Sequence, residues 1–208
     1  MTEIRRVQPR YWRPLLISMV MLAAASLLTS WSEAAILLLF PHRVVSPDLI
    51  LDALPYVQWC EYLADGTVLV SWAGFAVFAL VSVRSRIPLF LFGLGLHYLL
   101  RAGLVLLTPL MSPLGTDGPW GLSPGIIPGM FPSGHVGSVF LCYLFVSWQG
   151  DKRLRAFFLL LVGVEIVSML LARGHYSIDI AGGMLLSYSM VSFLRERDFS
   201  WLKPEVQG

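Results

Sequence analysis

Two histidines sit at the edges of apolar runs in this chain, and each has neighbours that chemistry can use. His175 is followed four residues later by Asp179 in "ARGHYSID". On a helix that spacing puts both on one face, with Cβ atoms about 5–6 Å apart. The carboxylate can then accept the imidazole Nδ1–H, fix the tautomer and leave the Nε2 lone pair facing outward. A base oriented by a third group is the general signature of an activated nucleophile; the plainer alternative is a capping pair at a helix start. His135 opens the run "FPSGHVGSVF". Ser133 there can cap a helix or donate to an anion, and Gly134 lets an anion approach the backbone with no Cβ in the way. The unpaired N–H groups and macrodipole of a helix start attract negative charge.

Two arginines narrow the chemistry. Two imidazoles and a carboxylate would also suit an open metal site. Arg101 and Arg173 would repel a cation, whereas beside a phosphate they form bidentate, charge-assisted hydrogen bonds. Arg101 lies inside an apolar run, where a guanidinium costs at least ~2.5 kcal/mol and needs a polar partner. That partner is a phosphate or a bundle carboxylate such as Glu165. The expected reaction is phosphoryl transfer. His175 attacks phosphorus, and Arg101, Arg173, Ser133 and Gly134 hold the oxygens. His135 protonates the leaving oxygen and later serves as the base. No metal and no cofactor is expected, because the arginines supply the positive charge.

The elements that must carry these residues are membrane helices. Of 208 residues, 56% are hydrophobic and 13% charged, against about 25% charged in soluble domains; mean hydropathy is +0.71. About 20 apolar residues cross a bilayer core. Six stretches qualify: Leu15 to Leu39, Asp65 to Val83, Leu89 to Leu110, Pro132 to Trp148, Ala156 to Ala172 and Tyr176 to Leu194. The expected fold is all-α, a polytopic six-helix transmembrane bundle forming one domain over residues 1–208. Cys60 and Cys142 cannot make a disulfide framework. Of the 15 Lys and Arg, all but Arg43, Arg101 and Arg173 fall before the first span, in alternate connectors or in the tail. The positive-inside rule then puts both termini in the cytoplasm. "PSGH", "ARGHYSID" and the upper half of the third span converge on the extracytoplasmic face. The expected location is the inner (plasma) membrane of a bacterium. The expected partners are the bilayer and a lipid substrate, with no nucleic acid.

"PSGH" followed by "RGHYSID" resembles the type 2 phosphatidic acid phosphatase superfamily of membrane lipid phosphatases and phosphotransferases. "LLARGHYSIDI" and "LHYLLRAGLVLLTPL" are similar to the sphingomyelin synthase branch, with "SPDLILDALP" a fainter echo. The resemblance spans the third to sixth helices well and the first third loosely. It implies a six-helix core, His175 as nucleophile, Asp179 as its orienting group, His135 as acid/base, and Arg101, Ser133 and Gly134 as phosphate contacts. The phosphatase pattern places an arginine six residues before the nucleophile. Here Arg173 is two before it, and the upstream Lys…Arg-Pro motif is absent. Hydrolysis of a lipid phosphate and transfer of a head group to a lipid alcohol share their first half-reaction. A non-catalytic lipid-binding or transport protein is the alternative. It would need the arginines but not an oriented nucleophile.

Overall fold

The computed structural model of the chain describes residues 9–123, 128–149 and 152–202. Their regular structure is all helical, with no strand among the described residues beyond one isolated bridge between Trp120 and Ser123. Seven α-helices follow in order: α1 (Pro9–Leu39), the short α2 (Leu49–Ala53), α3 (Trp59–Ser82), α4 (Ile87–Leu107), α5 (Gly134–Gln149), α6 (Lys152–Leu171) and α7 (Ser177–Glu196). Five segments are long and apolar enough to cross a membrane: Trp12–Leu39, Trp59–Ser82, Arg84–Leu107, Lys152–Leu171 and Ser177–Glu196. The fourth expected span is the shorter α5, of 16 residues, because Pro132 and the Ser133 cap set its start. Leu38, Val81 and Leu107 are each more than 70% exposed. Such outward apolar side chains suit a lipid-facing surface, as in an integral membrane protein.

Helix boundaries differ from expectation where polar residues are satisfied inside a helix. The second span begins at Trp59 rather than Asp65, because Glu61 and Asp65 both have partners and so extend the helix. The third ends at Leu107, where Thr108 precedes Pro109 and the pre-proline residue leaves the helical region.

α1 lies along α4, fastened by the Ser18 hydroxyl donating to Pro88 O at 2.6 Å. α5 packs on α6 and α7, and α3 packs on α6 and α5. α3 barely touches α4, so a cleft runs between them. Helices α5 and α7 come together through small residues. A Cβ built on Gly183 would sit 2.5 Å from Ser133 O and 3.3 Å from Gly137 N, both backbone atoms. Gly183→Ala must therefore push α5 from α7. A loss of about 1–3 kcal/mol, typical of overpacking, is expected. A thermal-unfolding midpoint equal to that of the parent protein would contradict the close approach.

The ends of the helices that carry the histidines are tied together by loop residues. Asp48 caps two helices at once. Its Oδ1 accepts from Ile50 N and Leu51 N of α2, and its Oδ2 accepts from Ser177 N at 2.6 Å, at the start of α7. Burial works against its charge, but those N–H donors outweigh it and hold Asp48 below the usual carboxylate range. The buried Tyr176 hydroxyl donates to Met111 O at 2.9 Å and accepts from Ser46 N at 3.0 Å. Arg43 pairs with Asp117 and donates to Leu110 O and Pro128 O. Val57 N–H reaches Leu171 O at 2.8 Å, joining the head of α3 to the end of α6.

Candidate active site

At this end of the bundle the two histidines face one another. Their ring centroids are 6.4 Å apart. His175 lies in the turn between α6 and α7, and its Nδ1 is 3.3 Å from Asp179 Oδ2. That same oxygen accepts from Tyr176 N at 3.0 Å. The carboxylate is completely buried, so its aim is set by the first turn of α7. Nε2 of His175 is left for the cavity. Burial pulls His175 below the ordinary histidine value of 6.5. The hydrogen bond and charge of Asp179 pull it up, and the charges of His135 and Arg101 pull it down. The net effect is a lowered proton affinity, which favours the neutral ring.

His135 has its own carboxylate, which the sequence reading missed. Its Nε2 is 2.9 Å from Asp65 Oδ1, on α3. Asp65 Oδ2 accepts from Leu122 N at 2.6 Å. One turn earlier, Glu61 accepts from Gly121 N and from the Tyr56 hydroxyl. Two acids four residues apart thus hold both the Trp120–Ser123 turn and an imidazole. A Cβ at Gly121, whose φ is +57°, would fall 2.2 Å from Asp65 Oδ2, so glycine suits the turn twice over. Trp120 donates to Ala172 O and sets its ring edge against His135, centroids 5.6 Å apart. Each imidazole is claimed by a separate aspartate, so the four groups pair off and do not converge as a ligand set.

Arg101 is nearly buried beneath the start of α5. Its Nε donates to Pro132 O at 3.0 Å and one Nη to Gly129 O at 3.1 Å. The other Nη is 3.9 Å from Glu33 Oε1. The carboxylate partner is therefore Glu33 of α1, not Glu165. A Cβ on Gly134 would meet Arg101 Nε at 3.0 Å, so the glycine admits the guanidinium beside the helix start.

Ser133 takes the capping role of its two expected ones, and Arg173 lies away from the histidines' cavity. Ser133 is fully buried. Its hydroxyl accepts from Val136 N as the cap of α5, and its own N–H donates to Asp179 O at 2.9 Å. It locks the two histidine-bearing segments together and does not line the cavity. Arg173 has a left-handed φ of +50°. Its guanidinium turns to Leu51 O at 3.4 Å and also stays off the cavity wall. The local turn that presents His175 points the preceding arginine toward α2. His97 is a packing residue, wedged against Gly137 with Nδ1 3.4 Å from the Ser187 hydroxyl.

The cavity has a volume of about 280 Å³, and Glu33, Arg101, Trp120, Gly134, His135 and His175 are on its wall. Val68, Tyr98 and Ser138 lead away from it along α3, α4 and α5. One turn further on, the same helix faces present Trp72 and Phe75, Leu94 and Phe90, and Leu141 and Phe145. These line an apolar groove of about 270 Å³. A polar chamber thus sits over a hydrocarbon slot in the α3–α4 cleft.

No curated protein matches the chain. Residues 130–196, which carry both histidines and Asp179, match the family model described as PAP2 superfamily C-terminal, and this match supports the PAP2 superfamily.

Proposed function

We propose that the protein cleaves a phosphoester of a membrane lipid through a phosphohistidine. The observation that carries this reading is the facing pair of imidazoles, each backed by its own aspartate, over a chamber containing a buried arginine. His175 Nε2 attacks phosphorus, and the bond to the lipid oxygen breaks. His135, held through Nε2 by Asp65, gives its Nδ1 proton to that oxygen. Incoming water or a lipid alcohol then returns a proton to His135, and the phosphorus–nitrogen bond breaks. Arg101 and the backbone N–H groups at Gly134 and His135 offset the charge on the non-bridging oxygens. The PAP2 match supports a phosphatase-type enzyme. The apolar slot below the chamber supports a lipid substrate, with one hydrocarbon chain lying between α3 and α4. On this reading α5 completes six spans. Both termini are cytoplasmic and the chamber opens to the extracytoplasmic side of a bacterial plasma membrane, following the distribution of Lys and Arg.

The test uses purified protein in nanodiscs with phosphate-labelled phosphatidate, isoprenyl pyrophosphate, or phosphatidylcholine plus ceramide or diacylglycerol. Label on the protein should be acid-labile and base-stable. Label released as phosphate means hydrolysis; label in a new lipid means transfer to an alcohol, as the sphingomyelin synthase resemblance implies. Tight lipid binding with neither outcome would leave the non-catalytic reading standing. A chelator is expected to leave the rate unchanged.

The lowered proton affinity of His175 has a definite sign. The attacking ring must be neutral, and a pKa below 6.5 keeps it so into mildly acidic solution. The acid limb of kcat/KM, which reports the free enzyme, should therefore have its midpoint below that value. A midpoint above it counts against His175 as the nucleophile.

A further inference from the structure

Glu165, in the middle of α6, is unexplained by the mechanism above. It is completely buried, and neither carboxyl oxygen has a hydrogen-bond partner. Such a group is costly in either protonation state, since one leaves a bare charge and the other an unsatisfied hydroxyl. Its place in the bundle is specific. α3 and α6 run antiparallel. Gly74 of α3 lies against Phe158 of α6, its Cβ position 3.6 Å from that ring, while Ala64 and Met169 share one buried cluster. In that register Glu165 comes level with Thr67, about 3 Å along the axis from Asp65, which turns toward the α5 side of α3. Met169, one turn along the same face of α6, reaches the chamber wall. Among the described residues on the helices packed against α6, Asp65 on α3 is a charged group close enough to act on Glu165. His135 on α5 stands on the far side of that aspartate. Asp65 uses one oxygen for His135 and the other for Leu122 N. A carboxylate has about four lone-pair sites, so acceptor capacity remains.

We infer that Glu165 is a positioning residue for the acid/base pair: as a carboxylic acid it turns to donate a hydrogen bond to Asp65, and so controls how readily His135 gives up and regains its proton. When His135 protonates the leaving oxygen, Asp65 loses the positive charge it faced. A donor arriving from Glu165 supplies the compensation. When His135 takes the proton back, the donor is no longer needed and the carboxyl returns to its apolar site. No net proton leaves Glu165 in the cycle. This inference rests on the proposed role of His135, so its test has a readout that does not need turnover.

The test compares Glu165→Gln, which keeps a donor, with Glu165→Met, which removes it while filling the space. Glu165→Ala serves if the thioether does not fit. The titration of His135 is followed by NMR of protein labelled with ¹⁵N in histidine, assigned by loss of the signal in His135→Asn. The expected result is a shift of about one pH unit or more in Glu165→Met, with Glu165→Gln close to the parent protein. Where turnover is measurable, kcat of Glu165→Met should fall about tenfold or more with a displaced pH profile, and Glu165→Gln should recover most of it. Unchanged titration in Glu165→Met, or equal changes in both variants, overturns the inference. If no lipid phosphoester is turned over, the proposed function fails, while the titration still decides the coupling of Glu165 to His135.

Discussion

His175→Ala is expected to lower turnover by about 10⁴-fold or more, the scale seen when a covalent nucleophile is removed. The protein should still fold, because Asp179 keeps the Tyr176 N–H as a donor when the imidazole is gone. No label should attach to the variant from any phosphate-labelled lipid. His135→Ala must behave differently. It too should lose activity on lipid substrates, whose leaving alkoxide needs a proton. On an aryl phosphate, whose leaving oxygen departs unaided, His135→Ala should still become phosphorylated while His175→Ala should not. Equal loss in both variants on both substrate types would remove the division of labour between the two rings. Normal turnover by purified His175→Ala would remove the nucleophile itself.

Arg101→Ala is expected to have the largest effect on stability. The guanidinium joins Pro132 O and Gly129 O on one side and approaches Glu33 on the other. Removing it orphans two carbonyls and leaves a carboxylate facing the chamber without its counter-charge. Leaving two buried carbonyls without their donor costs about 1–3 kcal/mol each. The loss should appear as a lower thermal-unfolding midpoint in detergent, together with loss of turnover. Arg101→Lys keeps the charge but cannot bridge two carbonyls with a planar fork, so its stability should fall between the two. Adding Glu33→Gln to Arg101→Ala should recover part of the loss, since groups in contact do not act additively. If the double variant is as unstable as the sum of the singles, Glu33 and Arg101 are not coupled.

Much of this was legible in the linear chain, and the gaps have physical causes. Apolar runs located five helices long enough to cross a membrane, and the shorter α5, because hydrocarbon-length stretches leave little else to be. His175 and Asp179 were legible because their relation is local, four residues on one helix. Asp65 was not, since its partner His135 is 70 residues away, and an acid near the head of a span reads as a solvated end. The available signal was its setting in "YLADGTVLV": an acid in so apolar a run needs a partner. Arg173, two residues before His175 in "ARGHYSID", reads as a phosphate ligand. Its left-handed backbone, which no residue pattern announces, turns it toward α2. Arg101 was correctly expected to need a polar partner, but burial periodicity cannot say whether α1 or α6 supplies it.

Asp48 caps the first turn of α7 from 129 residues upstream, and that contact has a bearing on how the molecule is made. A nascent chain threads into the bilayer from its N-terminus, so Asp48 waits with one oxygen unclaimed until the final helix arrives. His175 and Asp179 arrive with that same helix. On the proposed mechanism, a chain interrupted before His175 would hold the chamber's Arg101 and His135, but no attacking group and no closed chamber. Under that same proposal, incomplete products of translation would be chemically silent toward lipid phosphoesters.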